Sequence, residues 1–170
     1  MGKEGQRQHL VNDSLTQPLG RAVNDILPQR YPFLLIDRIT EFIPGQRITA
    51  HKHFSANDEL LQGYSPHSLI PAGILFELVT QLGAILVMER PQMEGKVPVI
   101  LQIPLARMYQ PVLAGETLRL EAEVLKIREN FGELRGEIYR EDQLVGEGQM
   151  RFAIAEKSSL KLGLDNQKTY

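Results

Sequence analysis

Glu77 is the carboxylate of an otherwise apolar run, "PAGILFELVTQLGAIL", and the loop just ahead of it, "QGYSPHSLI", supplies Tyr64 and His67. A carboxyl group, a phenol and an imidazole near one another are the parts of a proton-transfer site. An imidazole with its ordinary pKa of ~6.5 suits a base near neutrality, whereas a phenol at ~10 serves better as a hydrogen-bond donor to an enolate-like oxygen. Helical spacing puts Gly73, Glu77 and Gln81 on one stripe, and a glycine one turn before the acid lets a ligand approach the backbone. Pro71 suits the first helical turn, where no amide bond is lost. The amides of Ala72 and Gly73 then stand at the positive end of the helix, where developing negative charge is stabilised. Each side chain also has a plainer reading: Glu77 as a buried packing or dimer contact, Tyr64 as a residue closing a pocket mouth, His67 as a solvated loop histidine.

The rest of the composition narrows the chemistry. With no cysteine there is no disulfide, no thiolate nucleophile and no cysteine metal site, which fits a cytoplasmic protein. His51 and His53 alternate on one strand and face the same side, but a zinc site needs three or four ligands and no third is evident. No metal and no cofactor are expected. A net charge of −2 provides no field for gripping nucleic acid. Lys126, Arg128 and Arg90 could meet an acidic partner, although scattered cations are more often merely solvated.

These groups must be positioned by the surrounding elements. A chain of 170 residues fills one core and is short for two. Residues 1–20 read as a polar flexible arm without a secretory signal, 21–156 as the folded domain, and 157–170 as a tail. A short helix in "RAVNDILPQ" stops at Pro28, and "FLLIDRITEFI" and "RITAHKHFS" form a hairpin about the turn at residues 44–46. "NDELLQG" suits a helical turn. Residues 71–90 form the long helix, apolar on most faces and therefore covered on most faces. Glu77, Thr80 and Gln81 interrupt it, and a membrane span needs ~20 apolar residues, so a buried helix is expected instead. Beyond it, Leu118, Leu120, Ala122 and Val124 alternate with charged residues, and "ELRGEIYRE" and "LVGEGQMRFAI" continue the period of two as an antiparallel meander. Pro98 and Pro104 mark the preceding strand as bent or at an edge. The sum is an α+β fold, an antiparallel sheet wrapped around one long central helix, with a partner subunit completing the helix's cover.

From about Ile26 to Ala155 the sequence resembles the hotdog-fold 3-hydroxyacyl-[acyl carrier protein] dehydratases of bacterial fatty acid synthesis. The likeness is carried in order by "ILPQRYPFLLIDRI", "FSANDELLQGYSP", "PAGILFELVTQLGAIL", "IPLARMYQPVLAGETLRLEAEVLK" and "LVGEGQMRF". It implies a homodimer or a trimer of dimers, with composite sites acting on acyl carrier protein-bound substrates. In such sites a loop histidine takes the proton α to the thioester, and a helix glutamate from the other subunit helps the 3-hydroxyl leave as water. A backbone amide at the helix start polarises the carbonyl. Glu77 falls on the glutamate position, Gln81 on the amide side chain that follows it, and Ala72 on the carbonyl-binding position, where the family normally has glycine. The histidine does not carry over: the family's Gly-His-Phe-Pro-Gly becomes "GYSPH", with Tyr64 in the histidine's place and His67 three residues later.

The resemblance implies dehydration of 3-hydroxyacyl thioesters to trans-2-enoyl thioesters. Glu77, Tyr64 and His67 are then the catalytic candidates, and Pro71, Ala72, Gly73 and Gln81 the substrate-binding ones. Two alternatives stay open: an acyl thioesterase using the helix glutamate, and a non-catalytic acyl-binding or partner subunit that lends Glu77 to a histidine-bearing paralogue.

Overall fold

A computed structural model describes residues 20, 22–61 and 69–159. Tyr64 and His67 lie outside the described residues, as do residues 1–19 of the expected arm and 160–170 of the expected tail. The element order is α1 (Val23–Ile26), β1 (Arg38–Ile43), β2 (Arg47–His53), a 3-10 turn (Glu59–Leu61), α2 (Ala72–Met88), a second 3-10 turn (Pro91–Met93), β3 (Lys96–Met108), β4 (Thr117–Ile127), β5 (Phe131–Arg140) and β6 (Gln143–Glu156). The six strands form one antiparallel sheet in the order β1-β2-β4-β5-β6-β3.

The period-two pattern explains the sheet's two faces. Leu118, Leu120 and Ala122 of β4, Leu134 and Ile138 of β5, and Met150 and Phe152 of β6 are buried, together with Ile48 and Ala50 of β2. Burying a Leu or Ile side chain stabilises by ~1.5–3 kcal/mol, so this shared dry face decides the register. Against it lies α2, whose Leu75, Leu78, Val79, Leu82, Ile85, Leu86 and Val87 are all buried. The opposite face carries paired charges, for example Arg135 set among Glu123, Glu137 and Glu147.

Helix and sheet approach closely because each offers the other a glycine. A Cβ on Gly136 of β5 would sit 2.6 Å from Val79 Cβ, and one on Gly83 of α2 would sit 2.8 Å from Leu134 Cδ1. The two contacts are reciprocal: Val79 of the helix fills the gap at Gly136, and Leu134 of the strand fills the gap at Gly83.

Three boundaries differ from the sequence reading. The β-rich run at "FLLIDRITEFI" enters the ladder only at Arg38, because Phe33 and Leu35 give their backbone groups to Gln81 of α2 instead. The second strand ends at His53, where Phe54 turns to pair with Gly115 and Glu116. The helix begins after Pro71 and ends at Met88, short of the expected residue 90. The strand with Pro98 and Pro104 is the sheet's edge, β3, and its register breaks between Ile100 and Gln102 and again between Gln102 and Leu105.

The glycine interlock makes a contrast that equilibrium urea unfolding can check. Gly136→Ala should destabilise by about 1–3 kcal/mol, since the new methyl meets a backbone-fixed Val79 Cβ. Gly73→Ala, where a Cβ meets nothing within 4 Å, should instead stabilise by up to about 1 kcal/mol through helix propensity. Equal effects at the two positions would rule out close packing as the reason for Gly136.

Candidate functional site at the start of the long helix

Pro71, with φ −59° and ψ 137°, precedes the first helical residue, and its carbonyl accepts from the amides of Ile74 (3.0 Å) and Leu75 (3.3 Å). The amides of Ala72 and Gly73 come before that first intrahelical bond, and both residues are exposed. The positive end of a 17-residue helix therefore opens on the surface at these two groups. Gly73 adds steric freedom, because nothing occupies the space its Cβ would take.

One turn further on, Glu77 is half-buried. It lies at the margin of the core because Phe76, Glu77, Thr80 and Ala84 form the less covered side of α2. Its Oε1 accepts a hydrogen bond from Gln81 Nε2 at 3.0 Å, and its Oε2 has no hydrogen-bond partner among the described residues.

Gln81, one turn beyond Glu77, is turned into the interior. It is 1% exposed and fully engaged within the chain. Its Oε1 accepts from the Leu35 amide at 3.0 Å, while Nε2 donates to Phe33 O at 2.8 Å and to Glu77. Both amide hydrogens are thereby used, one on the backbone and one on the carboxylate. The side chain ties the segment before β1 to the helix and, with the same nitrogen, orients Glu77.

Beside the exposed amides runs a mostly apolar cleft of about 360 Å³, lined by Leu69, Pro71, Ala72, Leu75, Met108 and Tyr109 among others. Its far wall is the segment after β3, joined to the helix start by Ile70 N donating to Val112 O at 2.9 Å and by the Leu69–Leu113 bridge. Tyr109 is fixed at the rim by its hydroxyl, which donates to Glu147.

The structure thus gathers Pro71, Ala72, Gly73, Glu77 and Gln81 at one end of α2. His51 and His53 are exposed on β2, where His53 Nδ1 shares a hydrogen bond with Thr117 Oγ1 at 2.9 Å. Among the described residues no group of three or more His, Asp or Glu could hold a metal ion. No helix among them is long and apolar enough to cross a membrane. Arg90 and Arg128 line a cleft of about 530 Å³ near the other end of α2, and Lys126 shares a neighbouring one with Arg128, Leu101 and Phe131. What sequence reasoning missed is the role of Phe33 and Leu35. Their partner lies 46–48 residues away, and the only local hint is that Gln81 follows Glu77 by one turn.

Comparison with known proteins supplies the family. The profile of the FabA-like domain matches residues 27–149. The 3-hydroxyacyl-[acyl-carrier-protein] dehydratase FabZ of Symbiobacterium thermophilum is 39% identical over 136 residues, which is 79% of this chain and 96% of that protein. Among solved structures, the dehydratase heterocomplex ApeI:P from Xenorhabdus doucetiae matches with a TM-score of 0.68 at 17% identity, covering 84% of this chain and 96% of that one. A hot-dog-like protein from Thermanaerovibrio acidaminovorans reaches a TM-score of 0.60 at 18% identity, over 76% of this chain and 95% of its own. The two structural likenesses speak to the fold, which is the α+β hotdog. The profile and the sequence identity speak to kinship, and by them the chain belongs to the FabA-like family, together with proteins named 3-hydroxyacyl-[acyl-carrier-protein] dehydratase FabZ.

Proposed function

We propose that this protein dehydrates 3-hydroxyacyl thioesters carried on acyl carrier protein, giving trans-2-enoyl thioesters for fatty acid or related lipid synthesis. The observation that carries the proposal is Glu77, held by Gln81 one turn from the open amides of Ala72 and Gly73. Family membership supplies the substrate class.

In this reading the thioester carbonyl accepts from the amides of Ala72 or Gly73, which stabilise the enolate-like oxygen as a base removes the proton on C2. The electron pair left on C2 forms the C2=C3 double bond, the C3–O bond breaks, and Glu77 gives its proton to the departing hydroxyl, which leaves as water. Gln81 acts as a positioning residue, since its polar atoms are taken up within the chain. The base comes from the 62–68 stretch, and His67 is the side chain there whose ordinary pKa suits the task. Tyr64, in the family's histidine place, donates a hydrogen bond to the substrate oxygen.

A second copy of the chain completes the site. The free edge of β3 exposes Leu101 (59%) and Ile103 (49%), and apolar exposure on an unpaired edge favours a protein partner. A homodimer built there, alone or as a trimer of dimers, would cover the open side of α2. A different reading rests on Tyr64: the chain lends Glu77 to a histidine-bearing paralogue. Pure protein with no hydratase activity that regains it on mixing with such a paralogue would favour that reading.

Hydration of an enoyl thioester by the purified protein is the direct assay. Glu77→Gln keeps the shape and removes the transferable proton, so kcat should fall by about 10²–10⁴-fold; undiminished hydration would sink the assignment. His67→Ala should lower kcat by at least about 10²-fold, whereas a normal rate in that variant would move the base elsewhere. Gln81→Leu leaves Leu35 N and Phe33 O without their partner. It should cost about 2–3 kcal/mol in urea unfolding, together with a drop in kcat; a stable variant of normal activity would contradict the positioning role.

A further inference from the structure

We propose that Arg140, at the end of β5 beside the 110–116 segment, is a positioning residue for the cleft at the helix start; the inference rests on the dehydratase reading above. Residues 110–116 contribute the far wall of the cleft through Gln110, Pro111 and Val112, yet they belong to no strand, apart from the single bridge at Leu113. Something other than a ladder must therefore hold them. Arg140, the last residue of β5, does so from one guanidinium. Its Nη1 donates to Glu116 Oε1 at 3.0 Å and to Pro111 O at 3.4 Å, and its Nη2 donates to Gln110 Oε1 at 2.5 Å. The other oxygen of Glu116 accepts from the Leu113 amide at 3.0 Å, so the carboxylate passes the constraint into the middle of the segment.

The held segment is a hub for the chain on both sides of residues 55–69. Gly115 N donates to Phe54 O at 2.7 Å and Phe54 N to Glu116 O at 3.1 Å, while Val112 O receives the amide of Ile70 at 2.9 Å. Ile70 is followed directly by Pro71 and the exposed amides of Ala72 and Gly73. Arg140 is thus linked to the carbonyl-binding end of α2 through Pro111, Val112 and Ile70, without touching a ligand itself. Arginine suits the task because its planar fork serves several acceptors at once, which a lysine ammonium on a flexible stem does not.

The experiment compares wild type, Arg140→Met and Arg140→Lys by enoyl-thioester hydration kinetics and by hydrogen exchange. Arg140→Met should raise KM about tenfold, with a smaller change in kcat, because it displaces a binding wall and not the proton-transfer groups. Exchange should quicken at the amides of Ile70, Leu113 and Gly115 and stay unchanged at Leu120 and Ala122 of β4. Arg140→Lys, which keeps the charge near Glu116, should lie between the two. Unchanged exchange at Ile70, Leu113 and Gly115 in Arg140→Met overturns the proposal, as does faster exchange with an unaltered KM. A uniform acceleration that includes β4 also overturns it, since that marks global destabilisation. Wild-type protein without turnover ends the dehydratase reading instead, and the exchange pattern then decides by itself whether Arg140 holds the segment.

Discussion

A carboxamide taken out of water must find a partner for each of its polar atoms, and the site is organised around how Gln81 does so. Leaving a buried donor or acceptor unpaired costs about 1–3 kcal/mol, so the chain before β1 is drawn out of the sheet to offer Leu35 N and Phe33 O. The remaining amide hydrogen goes to Glu77. A single buried side chain therefore fixes where the first hairpin begins, how the 33–37 segment crosses the helix, and which way the carboxylate points. The acid is oriented by a satisfied interior group, which is a firmer anchor than a solvent-exposed ion pair.

Much of this architecture was legible in the residues because it depends on short-range pattern. Alternation in "TLRLEAEVLKI", the proline before an apolar run, and two prolines in one strand point to β4, the start of α2 and the edge position of β3. The candidate site divided along the same line. Pro71, Ala72, Gly73 and Glu77 are close in sequence and on one helix, so their grouping follows from helical spacing. Gln81 is visible in the sequence as a neighbour of Glu77, but its bonds to Phe33 and Leu35 are not, because partners so distant leave no periodic trace. Arg140 is invisible for the same reason: its acceptors at Gln110, Pro111 and Glu116 lie 24–30 residues away, across β4, a turn and β5 itself.

The uneven cover of α2 is informative in its own right. Ile74, Leu75, Leu78, Val79, Leu82, Ile85, Leu86 and Val87 are buried by this chain's own sheet, whereas Gly73, Phe76, Glu77, Thr80 and Ala84 are not. The boundary between the two sets runs through the carboxylate. One carboxylate oxygen is tied to the interior network through Gln81, so a half-buried acid is anchored from the buried side of the helix.

The paired glycines between α2 and β5 bear on how such a site could be retuned for different ligands. Val79 seated at Gly136 and Leu134 seated at Gly83 act as two dowels set one turn apart, so the helix can neither slide along the strand nor lift from it without unseating both. The distance from the sheet to the helix start is consequently a fixed dimension of the scaffold. Room in the cleft beside the helix start is then set by the volume of side chains that line it, such as Leu69, Leu75 and Met108, while the helix backbone stays still.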